Sequence, residues 1–145
     1  MESIDQLKLE GEQQREAANR ACAAAQALAR TANRSSVSII TAPVAYDLLG
    51  NIKMLLLHIH EVTDNLPYGM FRSLDDTRIK VFDRDHDGSE RDPYVQLMRA
   101  FMPLYGLTEC LAEAIENAEN AQQAISLQGY EEAADGPRPL RQDRI

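Results

Sequence analysis

The residues best suited to do chemistry are three alternating aspartates before a glycine, in the stretch FDRDHDGSERDPY. Asp83, Asp85 and Asp87 followed by Gly88 begin a pattern typical of an EF-hand calcium loop. The second half of the stretch departs from that pattern, because the last loop position, which should hold a bidentate glutamate, is Tyr94. Two predictions stay open: a calcium site at the three aspartates, or the favoured alternative of an acidic turn whose carboxylates stabilise the N-terminus of the next helix.

The other reactive residue types form no recognisable constellation. His58 and His60 are two positions apart on a predicted helix and point in different directions, so they cannot chelate one ion together. His60 and Asp64 could share an ion, but two ligands do not make a zinc site. The sequence also contains no Glu-x-x-His repeat, no nucleophile elbow and no phosphate-binding glycine loop. We therefore expect no enzyme activity and no cofactor, with calcium as the open exception.

Net charge and cysteine content restrict the partners and the compartment. A net charge of -8 and a pI of about 4.8 oppose binding to a phosphate backbone, so no direct nucleic-acid partner is expected. Cys22 and Cys110 lie within helical patterns and are predicted to be small buried hydrophobes in a reducing compartment. No apolar run approaches the ~20 residues of a membrane span, and no signal peptide is recognisable. A cytoplasmic or virion-associated protein without a membrane partner is expected.

The periodicity of apolar residues predicts an all-α fold. One helical domain over residues 1–130 would contain an antiparallel hairpin or bundle of three long helices, with an irregular acidic loop between the second and third. The predicted helices cover residues 3–33, 42–66 and 92–128. Residues 131–145 have two prolines and no periodicity, so they are predicted to be a flexible tail that is disordered unless a partner orders it.

The first helix carries a narrow seam of small residues. Ser3 and Gln6 form a capping box at its start. Its second half presents a seam at heptad spacing, made of Ala18, Ala21, Ala25 and Leu28. Alanine buries little area, so this helix needs a closely approaching partner. It is predicted either to lie exposed along one side of the bundle or to form a self-association seam.

The second helix is predicted to be the core helix. Thr41 serves as its N-cap and Pro43 occupies its first turn. Its apolar seam runs unbroken at three-and-four spacing through Ala45, Leu48, Ile52, Leu55, Ile59, Val62 and Leu66. Pro67 and Gly69 are predicted to end it.

The third helix is predicted to have one apolar and one acidic face. Asp92 and Pro93 begin it, Gly129 follows its end, and Pro103 with Gly106 predicts a kink. The acidic face consists of Glu109, Glu113, Glu116 and Glu119. No lysine or arginine occurs from residue 100 to residue 137. This face is interpreted as a solvated surface, a docking surface for a basic partner, or an imitation of DNA charge.

Four short stretches resemble a family of small uncharacterised helical proteins of actinobacteria and their phages or mobile elements. The stretches are PVAYDLLGNIK, FRSL, the acidic turn that ends in RDP, and AISLQGY, and the similarity spans residues 41–130. The resemblance implies a phage or mobile-element setting and assigns no activity to any residue.

These patterns lead to three functional hypotheses. The first is a non-enzymatic structural or interaction protein that self-associates through helices, as a homo-oligomer or with other proteins of a phage or mobile-element assembly. The second is an acidic, DNA-mimic-like inhibitor that occupies a basic site on another protein. The third is a calcium-dependent interaction module.

Overall fold

Three long helices and one short β-hairpin make up the fold. The computed structural model describes residues 4–31, 40–84 and 88–129. Its elements in chain order are α1 (Ile4–Thr31), α2 (Ala42–Asp75), β1 (Asp83–Arg84), β2 (Glu90–Arg91) and α3 (Pro93–Ile125). The predicted all-α fold is confirmed. The predicted tail, residues 131–145, lies outside the described residues.

The predicted starts of α2 and α3 are confirmed, although their caps differ. Thr41 has the extended backbone of an N-cap, and its carbonyl accepts a bond from the Ala45 N–H at 2.8 Å, but its hydroxyl makes no capping hydrogen bond. The carboxylate of Asp92 accepts a hydrogen bond from the backbone N–H of Tyr94 at 2.9 Å. This bond satisfies one of the free donors at the start of α3, as the sequence predicts.

Helices α2 and α3 pack against each other in antiparallel orientation. Four contacts that join them run in opposite directions along the two helices: Tyr46 with Gln122, Lys53 with Glu119, Thr63 with Thr108, and Phe71 with Tyr94. The residues buried between the helices are Thr63, Thr108 and Ala118. The sequence prediction of an antiparallel pairing between the second and third helices is thus confirmed.

The predicted end of the second helix at residue 66 is wrong, because α2 continues through Pro67 and Gly69 to Asp75. A proline inside a helix costs about 3 kcal/mol, since it removes one hydrogen bond and crowds the preceding turn. Here the proline turn packs on α3. Pro67 lies with Met70 and Phe71 against three apolar residues of α3, namely Leu97, Phe101 and Leu104. Pro67, Met70 and Phe71 are half-buried in this contact, which offsets the cost of the proline.

The other helix boundaries lie close to the predicted ones. Helix α1 covers 28 residues against the predicted 3–33, and residues 32–39 and Ser3 of the predicted cap lie outside the described part. Helix α3 ends at Ile125 instead of residue 128, where Ser126 caps it through bonds to the Gln123 carbonyl. It continues through Pro103 and Gly106 as one helix.

Helix α1 makes no extended packing with α2 or α3 within the described residues. Among the described side chains, Ala118 is the one buried hydrophobic residue, and no large side chain is completely enclosed. The single chain therefore has the layout of a two-helix hairpin and a separate long helix rather than a closed bundle.

The acidic stretch between α2 and α3 includes a short β-hairpin. In the antiparallel pairing of β1 with β2, Asp83 lies opposite Arg91 and Arg84 lies opposite Glu90. Gly88 has a φ of 80°, a left-handed conformation that glycine adopts without strain. The predicted irregular loop thus contains a tight reversal before the Asp92 cap.

Candidate interaction surface

A pair of threonines lies at the centre of the contact between α2 and α3. Thr63 is 6% exposed and Thr108 is 8% exposed. The hydroxyl of Thr108 is 3.4 Å from that of Thr63 and 3.1 Å from the Leu104 carbonyl. The Thr63 hydroxyl donates to the His60 carbonyl at 2.9 Å. Both buried hydroxyls are therefore hydrogen-bonded, and the hairpin contact includes a satisfied polar pair.

The residues that precede the two threonines remain in solvent. Val62 is 60% exposed, and Leu107 is also exposed. The sequence analysis placed Val62 in the apolar seam of the second helix, but the contact is centred one position further along each helix. Because the helices are antiparallel, the residue before Thr63 in α2 and the residue before Thr108 in α3 lie on the same side of the hairpin.

This side of the hairpin presents a line of apolar side chains. We call it the open face: it consists of Val44, Ile52, Ile59, Val62 and Leu66 of α2, with Leu107 of α3. All six are exposed. Along α2, successive members of this set are eight, seven, three and four positions apart. Residues at these spacings lie on one side of a helix, so the five form a line along it. The apolar seam predicted for the core helix is therefore only partly covered, because α3 packs on one side of it and leaves the other side exposed.

The predicted α1 seam is exposed as well. Ala18, Ala21 and Ala25 are exposed, and Leu28 is half-buried. The structure thus does not bring the α1 seam together with the open face within one chain. This exposure is compatible with the predicted self-association seam. The other predicted role, a helix along one side of the bundle, is not observed within the described residues, because α1 makes no extended packing with α2 or α3 there.

The four predicted glutamates lie on the other side of the hairpin. Glu109, Glu113, Glu116 and Glu119 are all exposed. Glu119 approaches the Lys53 ammonium of α2 at 3.8 Å. An exposed pair of this kind contributes about 0–1 kcal/mol, so ion pairs among the described residues do little to hold the four glutamates.

An aromatic and methionine-rich segment precedes these glutamates on the same helix. We call it the α3 stripe: it consists of Tyr94, Met98, Phe101, Met102 and Tyr105, all exposed. Tyr105, Glu109 and Glu113 follow one another at four-residue spacing, so the stripe and these glutamates lie along one side of α3. The Phe71–Tyr94 and Lys53–Glu119 contacts show that the stripe and the glutamates share one side of the hairpin. The hairpin therefore has two distinct surfaces. One is the open face, which consists of apolar side chains. The other begins with the α3 stripe and continues into the acidic glutamates.

The predicted calcium site lies mostly outside the described residues. The backbone of Asp83 is in β1, whereas Asp85 and Asp87 are not described. Among the described residues, no group of three or more metal-ligating side chains is arranged to hold a metal ion. The calcium site stays a prediction.

An arginine and an aspartate close the turn that follows α2. The Arg78 guanidinium donates to both carboxylate oxygens of Asp76, from Nε to Oδ1 at 2.9 Å and from Nη2 to Oδ2 at 2.6 Å. The Arg78 backbone N–H also donates to Oδ1 at 2.9 Å. These hydrogen bonds, the side-chain ones first, lower the pKa of Asp76 to about 2. The sequence analysis missed this turn, although an Asp at a helix end is a turn signal, because its carboxylate can accept from the backbone N–H two residues on.

The cysteines and histidines are placed at or near the surface. Cys22 and Cys110 are both free and exposed, so the prediction that they are buried hydrophobes is wrong. The reason is that no second helix covers their sides of α1 and α3 within the part of the chain that the structure describes. His58 is exposed and His60 is half-buried.

Comparison with known proteins assigns no relative to this chain. No family model, curated protein or solved structure matches it. Among the described residues, no helix combines the length and hydropathy needed to cross a bilayer.

Proposed function

We propose that this protein is a non-enzymatic helical interaction protein that self-associates by packing its open face against another copy. The single observation that supports the proposal is the exposure of the open face, where Val62 is 60% and Leu66 is 44% accessible. A contiguous apolar surface on a soluble protein marks an interaction site. Full burial of each such side chain would contribute about 1.5–3 kcal/mol.

Helix α1 is the second element of the proposed assembly. Its alanine seam at Ala18, Ala21 and Ala25 is narrow and exposed, so it suits close approach to another helix. Together the open face and the α1 seam would complete a closed bundle between copies. A phage or mobile-element assembly, in the cytoplasm or in a virion, is the setting that the family resemblance suggests, and it stays a prediction.

Light scattering after gel filtration tests the proposal. The native chain is expected to form a discrete oligomer, and Val62→Glu with Leu66→Glu is expected to give a monomer, because the two charges would have to be buried. Leu57→Glu is the matched control, since Leu57 is exposed on the opposite side of α2 and is expected to leave the oligomer intact. A native chain that is monomeric at every concentration contradicts self-association.

The contribution of α1 is tested separately. Ala21→Glu with Ala25→Glu is expected to lower the oligomeric fraction while the hairpin remains folded by circular dichroism. If the oligomer survives these substitutions but not those on the open face, the hairpin alone forms the interface.

A second candidate function is an acidic inhibitor that binds a basic site on another protein. The observation that favours it is the exposure of Glu109, Glu113 and Glu116, on a helix segment that has no lysine or arginine from residue 100 to residue 125. Pull-down is expected to recover a basic partner whose binding weakens with salt. Binding that is unaffected when the three glutamates become glutamine contradicts this function.

The calcium-dependent module remains the third hypothesis. A ligand that binds only the native state must raise its melting temperature. If calcium binds at Asp83, Asp85 and Asp87, millimolar calcium is therefore expected to raise the melting temperature relative to chelator. An unchanged melting temperature removes the hypothesis.

A further inference from the structure

The two hairpin helices are interrupted by proline at the same level. Each contains one internal proline, Pro67 in α2 and Pro103 in α3. Thr63 and Thr108 lie opposite each other. Because the helices are antiparallel, four residues forward from Thr63 corresponds to four residues back from Thr108. Pro67 therefore lies opposite Leu104, the neighbour of Pro103, and both Pro67 and Leu104 line the same contact.

Two glycines lie at this level as well. Gly69 follows Pro67 by two residues, and Gly106 follows Pro103 by three. A Cβ added at either glycine would meet no atom of the described residues within 4 Å, and neither glycine has a positive φ. No turn or close approach requires them. Together the two prolines and two glycines lie within about 6 Å along the hairpin, at about 1.5 Å per residue.

The other prolines and glycines of α2 and α3 have a structural reason. Pro43 and Pro93 occupy the first turns of their helices, where the missing N–H costs nothing. A Cβ at Gly50 would lie 2.8 Å from a side chain of α3, so close helix packing explains this glycine. The helix-weakening residues that packing and helix starts leave unexplained are thus the four that coincide at one level.

Their coincidence removes a restraint on bending. Without an N–H, Pro67 leaves the Thr63 carbonyl without its helical donor, and Pro103 does the same to the Arg99 carbonyl. A weak point in one helix of a packed pair is held straight by an unbroken neighbour. Two weak points at one level allow both helices to bend together, because prolines and glycines are where helices kink.

We propose that the α2–α3 hairpin bends at this level, which we call the hinge: Pro67, Gly69, Pro103 and Gly106. It joins two bodies. The tip consists of residues 67–75 of α2 with residues 93–103 of α3, and the stem consists of residues 42–66 with residues 104–125.

Contacts on each side of the hinge hold each body together. In the tip, the Phe71 and Tyr94 rings meet edge to face at 5.9 Å between centroids. In the stem, the Gln122 amide donates to the Tyr46 carbonyl at 3.1 Å. Neither contact crosses the hinge, so bending preserves both.

Bending changes the shape of one surface of the hairpin. The α3 stripe up to Met102 lies in the tip, whereas Glu109 and Glu113 lie in the stem. The hinge therefore sets the angle between the aromatic and methionine-rich part of this surface and its acidic part. The surface can then match partners that present apolar and basic groups at different angles. This property does not depend on self-association, because it uses contacts within one chain.

Spin-label distances test the hinge in the full-length chain. Cys22→Ser and Cys110→Ser remove the native thiols, and Asp47→Cys with Asp75→Cys places one label on the stem and one on the tip, both at exposed positions. A proline kink of about 20° would displace Asp75, about 12 Å beyond Pro67, by about 4 Å. The distance distribution is expected to be broader than that of a pair within the stem, Asp47→Cys with Glu61→Cys. Equal widths overturn the proposal. An excess of unlabelled chain suppresses distances between copies.

Hinge variants decide whether the four residues cause the bending. Pro67→Ala, Gly69→Ala, Pro103→Ala and Gly106→Ala together are expected to narrow the stem-to-tip distribution to the width of the stem pair. The matched control, Pro43→Ala with Pro93→Ala, replaces two prolines in first turns and is expected to leave the distribution broad. A distribution that stays broad in the hinge variant, while circular dichroism shows intact helices, overturns the proposal, and so does narrowing in the control.

A label pair confined to the tip decides whether the tip moves as one body. Arg72 and Arg99 are exposed and lie on different helices of the tip. Arg72→Cys with Arg99→Cys is expected to give a distribution as narrow as that of the stem pair. A broad distribution would mean that the two helix ends separate from each other, and this outcome overturns bending in favour of local unfolding.

Discussion

Helices α1, α2 and α3 are 28, 34 and 33 residues long, yet within the described residues only α2 and α3 pack extensively together. Contacts between α2 and α3 include the hydrogen-bonded Thr63–Thr108 pair and the Phe71–Tyr94 ring contact. In α1, by contrast, the seam residues Ala18 and Ala21 are exposed. Helix-forming residues are thus sufficient to make a long helix, but they do not by themselves give that helix a packing partner within the described residues.

The largest difference between the two regions is expected when the same substitution is made in each. Ala118→Leu enlarges the one buried hydrophobic residue of the hairpin, and overpacking of this kind costs about 1–3 kcal/mol. Ala21→Leu makes the identical change on exposed α1 and is expected to alter the free energy of unfolding by less than about 0.5 kcal/mol. Urea unfolding at one fixed protein concentration measures both.

Alanine and leucine have similar helix propensities, so the difference between these two variants reports packing alone. Equal destabilisation by Ala118→Leu and Ala21→Leu would mean that α1 packs as closely as the hairpin does, and the contrast between the regions would be lost.

Glycine substitutions sharpen the comparison further. A Cβ added at Gly11 or at Gly106 meets no atom within 4 Å. Gly106→Ala is expected to stabilise the hairpin by about 0.5–1 kcal/mol, because alanine favours the helix. Gly11→Ala is expected to raise helix content in circular dichroism without moving the unfolding midpoint. A shift of the midpoint by Gly11→Ala would show that α1 and the hairpin unfold together.

Gly50 tests the gain in helix propensity at a position where α2 and α3 are in close contact. A Cβ there would lie 2.8 Å from the amide nitrogen of Gln122, which donates to the Tyr46 carbonyl at 3.1 Å. Gly50→Ala is expected to displace this flexible amide, and loss of the hydrogen bond, about 0.5–1.5 kcal/mol, would offset the gain in helix propensity. Urea unfolding measures the change in the free energy of unfolding. An increase equal to that of Gly106→Ala would show that the hydrogen bond from Gln122 to Tyr46 contributes nothing.

The threonine pair is expected to give a smaller effect. Thr63→Val together with Thr108→Val removes both buried hydroxyls while nearly preserving side-chain shape. Replacing both partners in this way is nearly neutral or stabilising, so we expect a change of less than about 1 kcal/mol. A thermal unfolding cycle with both single variants measures their coupling. Strong destabilisation of the double variant would show that the pair determines the register of the hairpin.

The smallest effect is expected at the turn after α2. The folded-state pKa of Asp76 is about 2, below its ordinary 3.8, so the stabilisation from its ionised form is complete above about pH 5 and is lost as the pH falls toward 2. Arg78→Gln removes the main hydrogen-bond donor and is expected to return the pKa toward 3.8. An NMR titration of the Asp76 carboxyl measures the pKa, and an unchanged value in the variant would contradict the assigned cause.

Most of the fold could be predicted from local patterns. The starts of α2 and α3 follow from a capping residue with proline in the first turn, and both are confirmed. The end of α2 could not be predicted in this way, since Pro67 usually stops a helix. Only the packing of Met70 and Phe71 on α3 outweighs that local preference.

The interaction surfaces were predictable in part. Exposure of Glu109 and Glu113 follows directly from the amphipathic pattern of α3. Burial of Thr63 and Thr108 does not, because a hydrophobic pattern favours their neighbours Val62 and Leu107 for the core. The apolar band of α2 is wider than one partner helix can cover, so the pattern alone leaves open which half is buried.

The sequence by itself determined that this protein forms three helices, that α2 and α3 pair in antiparallel orientation, and that α3 has an acidic side, because spacing, caps and charge act locally or between neighbouring elements. Only the tertiary structure decided which side of α2 meets α3 and that α1 makes no extended packing with them within the described residues. That decision depends on how closely whole helix surfaces fit, and the fit between α2 and α3 leaves the open face exposed on one side and the α3 stripe on the other.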